Sequence, residues 1–126
     1  MSQQYELPAY QIEIPFLPDR ALSPNSRVHW SVKGEAVRVL REAAFYLAIA
    51  AGIPKMKRAE IEITYRCPTS RRRDPDNWLI MAKPAIDGLV DAGVLLDDSS
   101  EYVCFKPVLF EKGKAATIIR IKELQR

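Results

Sequence analysis

Histidine and cysteine are scarce in this chain, with one His and two Cys in 126 residues. Cys67 and Cys104 have no further Cys or His near them at metal-ligand spacing, which speaks against a zinc site and for a reducing, intracellular setting. Both look like small hydrophobic residues of strands. Long apolar runs are also missing: nothing approaches the roughly 20 residues of a membrane span. The start, "MSQQYELPAY", lacks the basic-then-apolar order of a signal peptide. These absences describe a soluble, cytoplasmic protein with no membrane partner. Internal repeats and low-complexity segments are absent as well.

What is present fits a globular chain. Hydrophobic residues make up 48% and charged residues 28%, and the length suits one domain spanning residues 1–126. Net charge is +3 with a pI near 8.9. The bias is mild, but it sharpens if several carboxylates are drawn into one site and leave a more basic surface, as a polyanionic partner would require.

Hydrophobic periodicity sets the order of elements. "YQIEIPFL" alternates Tyr10, Ile12, Ile14 and Phe16 as a strand, with Pro15 pushing it toward an edge. A long polar loop, "PDRALSPNSRVHW", follows. Val32 to Ala51 carries Val37, Leu40, Ala44, Leu47 and Ala48 at helical spacing and stops at Gly52 and Pro54. "AEIEITYRC" is a second strand. A helical pattern from about Asn77 to Ala92 closes at Gly93. Pro84 means either that this helix begins there or that a short first turn kinks. "EYVCFKPVLF" and "AATIIRIK" are two more strands, joined by "EKGK" as a hairpin turn. The fold class expected is α/β (α+β), ordered β-α-β-α-β-β, with a four-stranded mixed sheet packed with two main helices on one side.

The chemistry concentrates in "RRRDPDNWLIMAKPAIDGLVDAGVLLDDSS", residues 71–100. Asp74 and Asp76 project to one side if the chain is extended there. Lys83 and Asp87, four apart, share a helix face. Asp97 and Asp98 follow the Gly93 turn and can fold back beside that helix. Gathered together, such acids repel: two carboxylates about 5 Å apart cost roughly 3 kcal/mol at an effective dielectric near 20. A hard divalent cation relieves this, and magnesium takes oxygen ligands. Magnesium also activates water and steadies both oxygens of a phosphodiester displacement. Arg71, Arg72 and Arg73 then serve as phosphate clamps, and Lys83 places a positive charge at the scissile phosphate. A plainer account competes: "DPDN" is a good helix cap, and Arg–Asp neighbours often form weak solvated pairs.

The ordered set "RRRDPDN", then K-x-x-x-D-G-L-x-D-A-G-V-L-L-D-D-S, closely resembles the RusA family of Holliday-junction resolvases. These are endodeoxyribonucleases of bacteria, phages and prophages that act in DNA recombination and repair. The likeness is strong over residues 71–100. It extends weakly to "LSPNSRVHW", which is similar to the family's P-x-N loop. The resemblance implies a homodimer that binds four-way DNA junctions and nicks opposed strands symmetrically with Mg2+, or Mn2+ in its place. By position, Asp74, Asp76 and Asp98 match the metal-binding aspartates, Asp87 a further acidic position, and Lys83 the catalytic lysine. One departure stands out: a few more residues separate Asn77 from Lys83 than in the best-known member, and Pro84 follows the lysine.

The remaining candidates have structural alternatives. Asn25, Arg27 and His29 can contact DNA or shape their loop. Trp78 is better explained by packing than by stacking on a base. Arg38, Arg41 and Asp91 belong on exposed helix surface. Two rival functions are a nuclease preferring flaps or other branched DNA, and a junction-binding module without catalysis.

Overall fold

Buried and half-exposed residues alternate without a break from Ala59 to Cys67, the period of a strand with one covered face. This strand organises the molecule. The structure, a computed structural model, describes residues 7–125. Its strands are β1 (Ala9–Ile14), β2 (Arg58–Cys67), β3 (Val103–Phe105), β4 (Leu109–Lys112) and β5 (Ala116–Gln125). The helices are α1 (Trp30–Ala50), α2 (Pro75–Met81) and α3 (Lys83–Asp91), with one 3-10 turn at Arg20–Leu22.

The result is a mixed α+β fold with a five-stranded mixed sheet, ordered β1-β5-β2-β3, in which β4 also pairs with β2. The expected four strands become five because the segment "EYVCFKPVLF" breaks in two. Phe105 stands opposite Ile61 and Leu109 opposite Thr64, so four steps on one strand face three on the other. That is the count of a β-bulge, and Pro107, which has no N–H for the ladder, lies inside it.

A second expectation is corrected at the "EKGK" turn, which does not close a hairpin. Here β4 runs parallel to β2 on one side while β5 runs antiparallel to β2 on the other. The turn therefore crosses the end of β2, and Gly113 N–H donates to Cys67 O at 2.9 Å. Turn residues report a reversal of direction but not which strand takes the place between its arms.

Both β1 and β2 are antiparallel to β5, so they are parallel to each other. With β4, they end at one edge of the sheet: Ile14, Thr117, Tyr65 and Phe110 lie in one cross-strand row there. The loops that leave this carboxyl edge carry the candidate residues at 25–29 and 71–76.

The core forms on one face only. Ile12, Ile61, Ile63, Ile119 and Ile121 of the sheet meet Leu40 and Ala44 of α1 and Ile86 and Leu89 of α3. Helix α1 meets α3 through Gly88. A Cβ there would come within 2.3 Å of the Arg41 carbonyl oxygen and 3.0 Å of Ala44 Cβ, so only glycine permits this approach. Gly93 has φ 80° and stops α3 as the C′ residue, as expected. Cys67 is buried as anticipated, whereas Cys104 is exposed and not a packing residue. No helix among the described residues is long and apolar enough to cross a membrane.

Candidate active site

Pro84 decides the local geometry. It has no N–H to donate to the preceding turn of helix and its ring crowds the carbonyl there, so the chain breaks at Ala82 into α2 and α3 with Pro84 in the first turn of α3. Each alternative holds in part: α3 begins beside the proline, at Lys83, and what precedes it is a separate seven-residue helix rather than a short first turn. The break leaves Lys83 as the first residue of α3, a poor place for a cation because the helix dipole is positive there. A lysine N-terminal to its aspartate at this spacing is also the weaker orientation. Two local rules are broken at one residue, which is common where a site has a task beyond stability.

What holds Lys83 is a pair of carboxylates. Its ammonium donates to Asp87 Oδ1 at 2.6 Å and also pairs closely with Asp98 Oδ2. Asp87 arrives from the next turn of α3 and Asp98 from the returning loop. Asp97 fixes that loop by accepting the Asp98 N–H on its own Oδ1 at 2.8 Å. Spacing alone leaves Asp97 and Asp98 interchangeable while the resemblance points to Asp98, and in the structure Asp98 meets Lys83 and Asp97 shapes the turn.

Lys83 and Asp98 both keep their charges at neutral pH. Partial burial works against the Lys83 ammonium, but the hydrogen bonds to Asp87 and Asp98 outweigh it and raise its pKa above the ordinary lysine value. The hydrogen bond from Lys83 holds the Asp98 carboxyl below the usual carboxylate range, against a smaller opposing effect of burial. Lys83 is therefore a cation and proton donor, not a general base.

Asp74 and Asp76 occupy the start of α2. Asp74 is the N-cap, extended at φ −87° and ψ 111°, and its Oδ1 accepts the Asp76 N–H at 3.0 Å. Pro75 follows at the first helical position, where its missing N–H costs nothing. Within "DPDN" the capping role thus falls to Asp74. Both aspartates are exposed. Among the described residues, no three Asp, Glu, His or Cys side chains gather closely enough to share a metal ion. Asp87 and Asp98 do converge, on a position filled by a cation, the Lys83 ammonium. Their donor atoms are all oxygens, the set that a hard divalent ion takes.

The three arginines divide. Arg71 and Arg72 are exposed. Arg73 folds back: Nη1 donates to Thr69 O and Arg71 O, each at 3.1 Å, and the guanidinium lies 5.7 Å from the Trp78 ring centre. It ties the loop together rather than reaching out. Trp78 is a packing residue, edge-on to Tyr65 at 4.8 Å and to Phe110 at 5.8 Å. Tyr65 donates its hydroxyl to Trp78 O at 2.7 Å, which anchors α2 on the end of β2.

In the polar loop, Asn25 and Arg27 are exposed, and His29 caps α1 by accepting the Ser31 N–H on Nδ1 at 3.2 Å. That cap was not foreseen, because histidine is a rare N-cap. Trp30 beside it is 78% exposed, and its ring is 5.2 Å from the imidazole. Arg41 pairs with Asp91 across α1 and α3, and Arg38 pairs with Glu35 and Glu42, all on exposed surface.

No family model matches the chain. It is 39% identical over 80 residues to an uncharacterized protein of Xylella fastidiosa, a match covering 60% of this chain and 52% of that protein. The chain thus spans about half the length of the relative it matches.

Proposed function

We propose that the protein is a RusA-like, metal-dependent endodeoxyribonuclease that resolves four-way DNA junctions, acting as a homodimer. The observation that carries this is the convergence of Lys83, Asp87 and Asp98. It joins two segments that the motif resemblance had ordered in sequence alone.

Asp87 and Asp98 would hold Mg2+ or Mn2+, and Asp74 and Asp76 would join them by closing on the ion, since no three of these carboxylates gather in the structure. Bound there, the ion would supply an activated water and charge stabilisation at the reacting phosphate. The chain's own residues have separate tasks. Lys83, released from one carboxylate by an incoming phosphate, places its ammonium against the developing negative charge. It can also deliver a proton to the departing oxygen. Asp97 keeps Asp98 aimed at the site. Arg71 and Arg72 take backbone phosphates, and Arg73 keeps the loop that carries them in shape. Two opposed nicks need two such sites related by two-fold symmetry, hence a second copy of the chain.

The test uses synthetic four-way junction, flap and duplex DNA with Mg2+ or Mn2+, and an Asp76→Asn control. Metal-dependent nicking of the junction alone, lost in the variant, is the expected result. Preferential cutting of the flap would replace the junction assignment. Tight junction binding without cutting under either metal would make the protein a binding module.

A further inference from the structure

The carboxyl edge of the sheet bears a second set of cations that the motif does not include. The crossover turn between β4 and β5 presents Lys112 and Lys114, both exposed. Among the described residues neither takes part in an ion pair, and the same is true of Arg71.

The turn is held in place. Besides the Gly113 bond to Cys67 O, Arg66 Nε donates to Lys114 O at 2.6 Å, and its guanidinium pairs with Glu13 at 3.3 Å. Arg66 packs so tightly under the turn that a Cβ on Gly113 would stand 2.8 Å from its Cδ. Position 113 is therefore a close approach of main chain to side chain, the circumstance that calls for glycine.

So fixed, the turn faces the loop that leads to Asp74. Between them runs an open groove of about 420 Å³, with Thr69, Ser70, Arg71 and Arg73 on one wall, Lys112 and Glu111 on the other, and Phe110 between. The two walls come from segments distant in sequence, both anchored at the end of β2. Cations fixed on two sides of an open groove suit a run of phosphates better than one small anion.

We propose that Lys112 and Arg71 opposite it, extended by Lys114 next to the groove on the same turn, form a backbone-phosphate channel that leads a DNA strand to Asp74. This rests on the endonuclease assignment above, and it adds a binding element outside the residues 71–100 that carry the resemblance. The lysines position DNA and do not touch the reacting atoms.

The test is the salt dependence of binding to a fluorescent four-way junction, with EDTA present, for the wild-type chain and two double variants. Lys112→Gln/Lys114→Gln removes the proposed contacts. Lys55→Gln/Lys57→Gln makes the same charge change just before β2, at the opposite edge. Each phosphate contact contributes about 0.9 to the slope of log affinity against log salt. The first variant is therefore expected to lower the slope by about 1.8 and the second to leave it unchanged. An unchanged slope in the first variant, or an equal drop in both, would overturn the proposal. If the wild type still cuts junctions in magnesium in that event, the channel fails alone and the endonuclease assignment stands. If the slope drops as expected but the wild type cuts nothing, the channel stands and the endonuclease assignment fails. A wild type that binds no DNA overturns both.

Discussion

Replacing Gly88 by alanine sets two effects of known sign against each other. Gly88 lies inside α3, where alanine is intrinsically favoured by about 0.8–1 kcal/mol. Propensity alone therefore makes Gly88→Ala stabilising. Packing says the opposite. The new methyl would lie 2.3 Å from Arg41 O and 3.1 Å from Phe45 N, both main-chain atoms of α1. No side-chain rotation relieves such contacts, so α1 and α3 must separate and loosen the packing of Leu89 and Ala44 between them. Overpacking typically costs 1–3 kcal/mol, and a rigid main-chain obstacle belongs at or above the upper end. The net expectation is a loss of about 2 kcal/mol after the propensity gain is subtracted. With a urea m-value of about 1.5 kcal/mol/M, the midpoint should fall by more than about 1 M. The melting temperature should fall by about 6–10 °C. Urea titrations followed by circular dichroism measure this directly. A variant as stable as the wild type, or more so, would refute the claim that glycine is there to let the helices touch.

Other perturbations separate roles that share a residue. Asp74→Ala should cost about 1 kcal/mol through loss of the α2 cap, whereas Asp74→Asn keeps the cap and should cost less than about 0.5 kcal/mol. Both are expected to abolish metal-dependent cleavage, and an active Asp74→Asn would make Asp74 a cap only. In Lys83→Met the stability lost should be no more than about 1 kcal/mol, since Lys83 is 56% exposed. Its pH dependence follows from the lowered Asp98 pKa. The contribution is full above the ordinary carboxylate range and fades as pH falls through the depressed value, below about pH 4. A gap between wild type and variant that stays constant down to about pH 2.5 would point to packing instead. Tyr65→Phe should cost about 1–1.5 kcal/mol because Trp78 O loses its buried donor. Burial pushes the Tyr65 phenol well above its usual value. The wild type should therefore lose stability as pH rises past about 10, and one of its five tyrosines should stay un-ionised until unfolding. Absorbance titration checks this, and complete ionisation of the folded protein would contradict it.

How much of this was legible depended on whether the signal was local. Strict alternation made the strand at 59–67 plain, and helical spacing placed the long helix to within two residues of Trp30–Ala50. The Lys83–Asp87 pair was legible because four residues is one helical step. Spacing alone offered Asp98 only as one of two neighbours, because the choice depends on which carboxylate the returning loop turns inward; the motif resemblance had named Asp98. The strand order was not legible: "EKGK" looks the same whether its arms pair or straddle β2. The inward fold of Arg73 was hidden for a similar reason. Its partners are carbonyl oxygens of its own loop, which no charge pattern reports. Gly88 stands in the motif as D-G-L, but its packing role was not legible, since its demand comes from a carbonyl on another helix.

The central claim, a paired-nicking junction endonuclease, is tested most directly on a supercoiled plasmid that extrudes a cruciform. Two coupled, opposed nicks at the branch point convert this circle to the linear form with Mg2+ present. The account predicts linear product from the wild type and none from Asp98→Asn. A wild type that leaves the plasmid supercoiled, or that yields only relaxed, singly nicked circles, would contradict it.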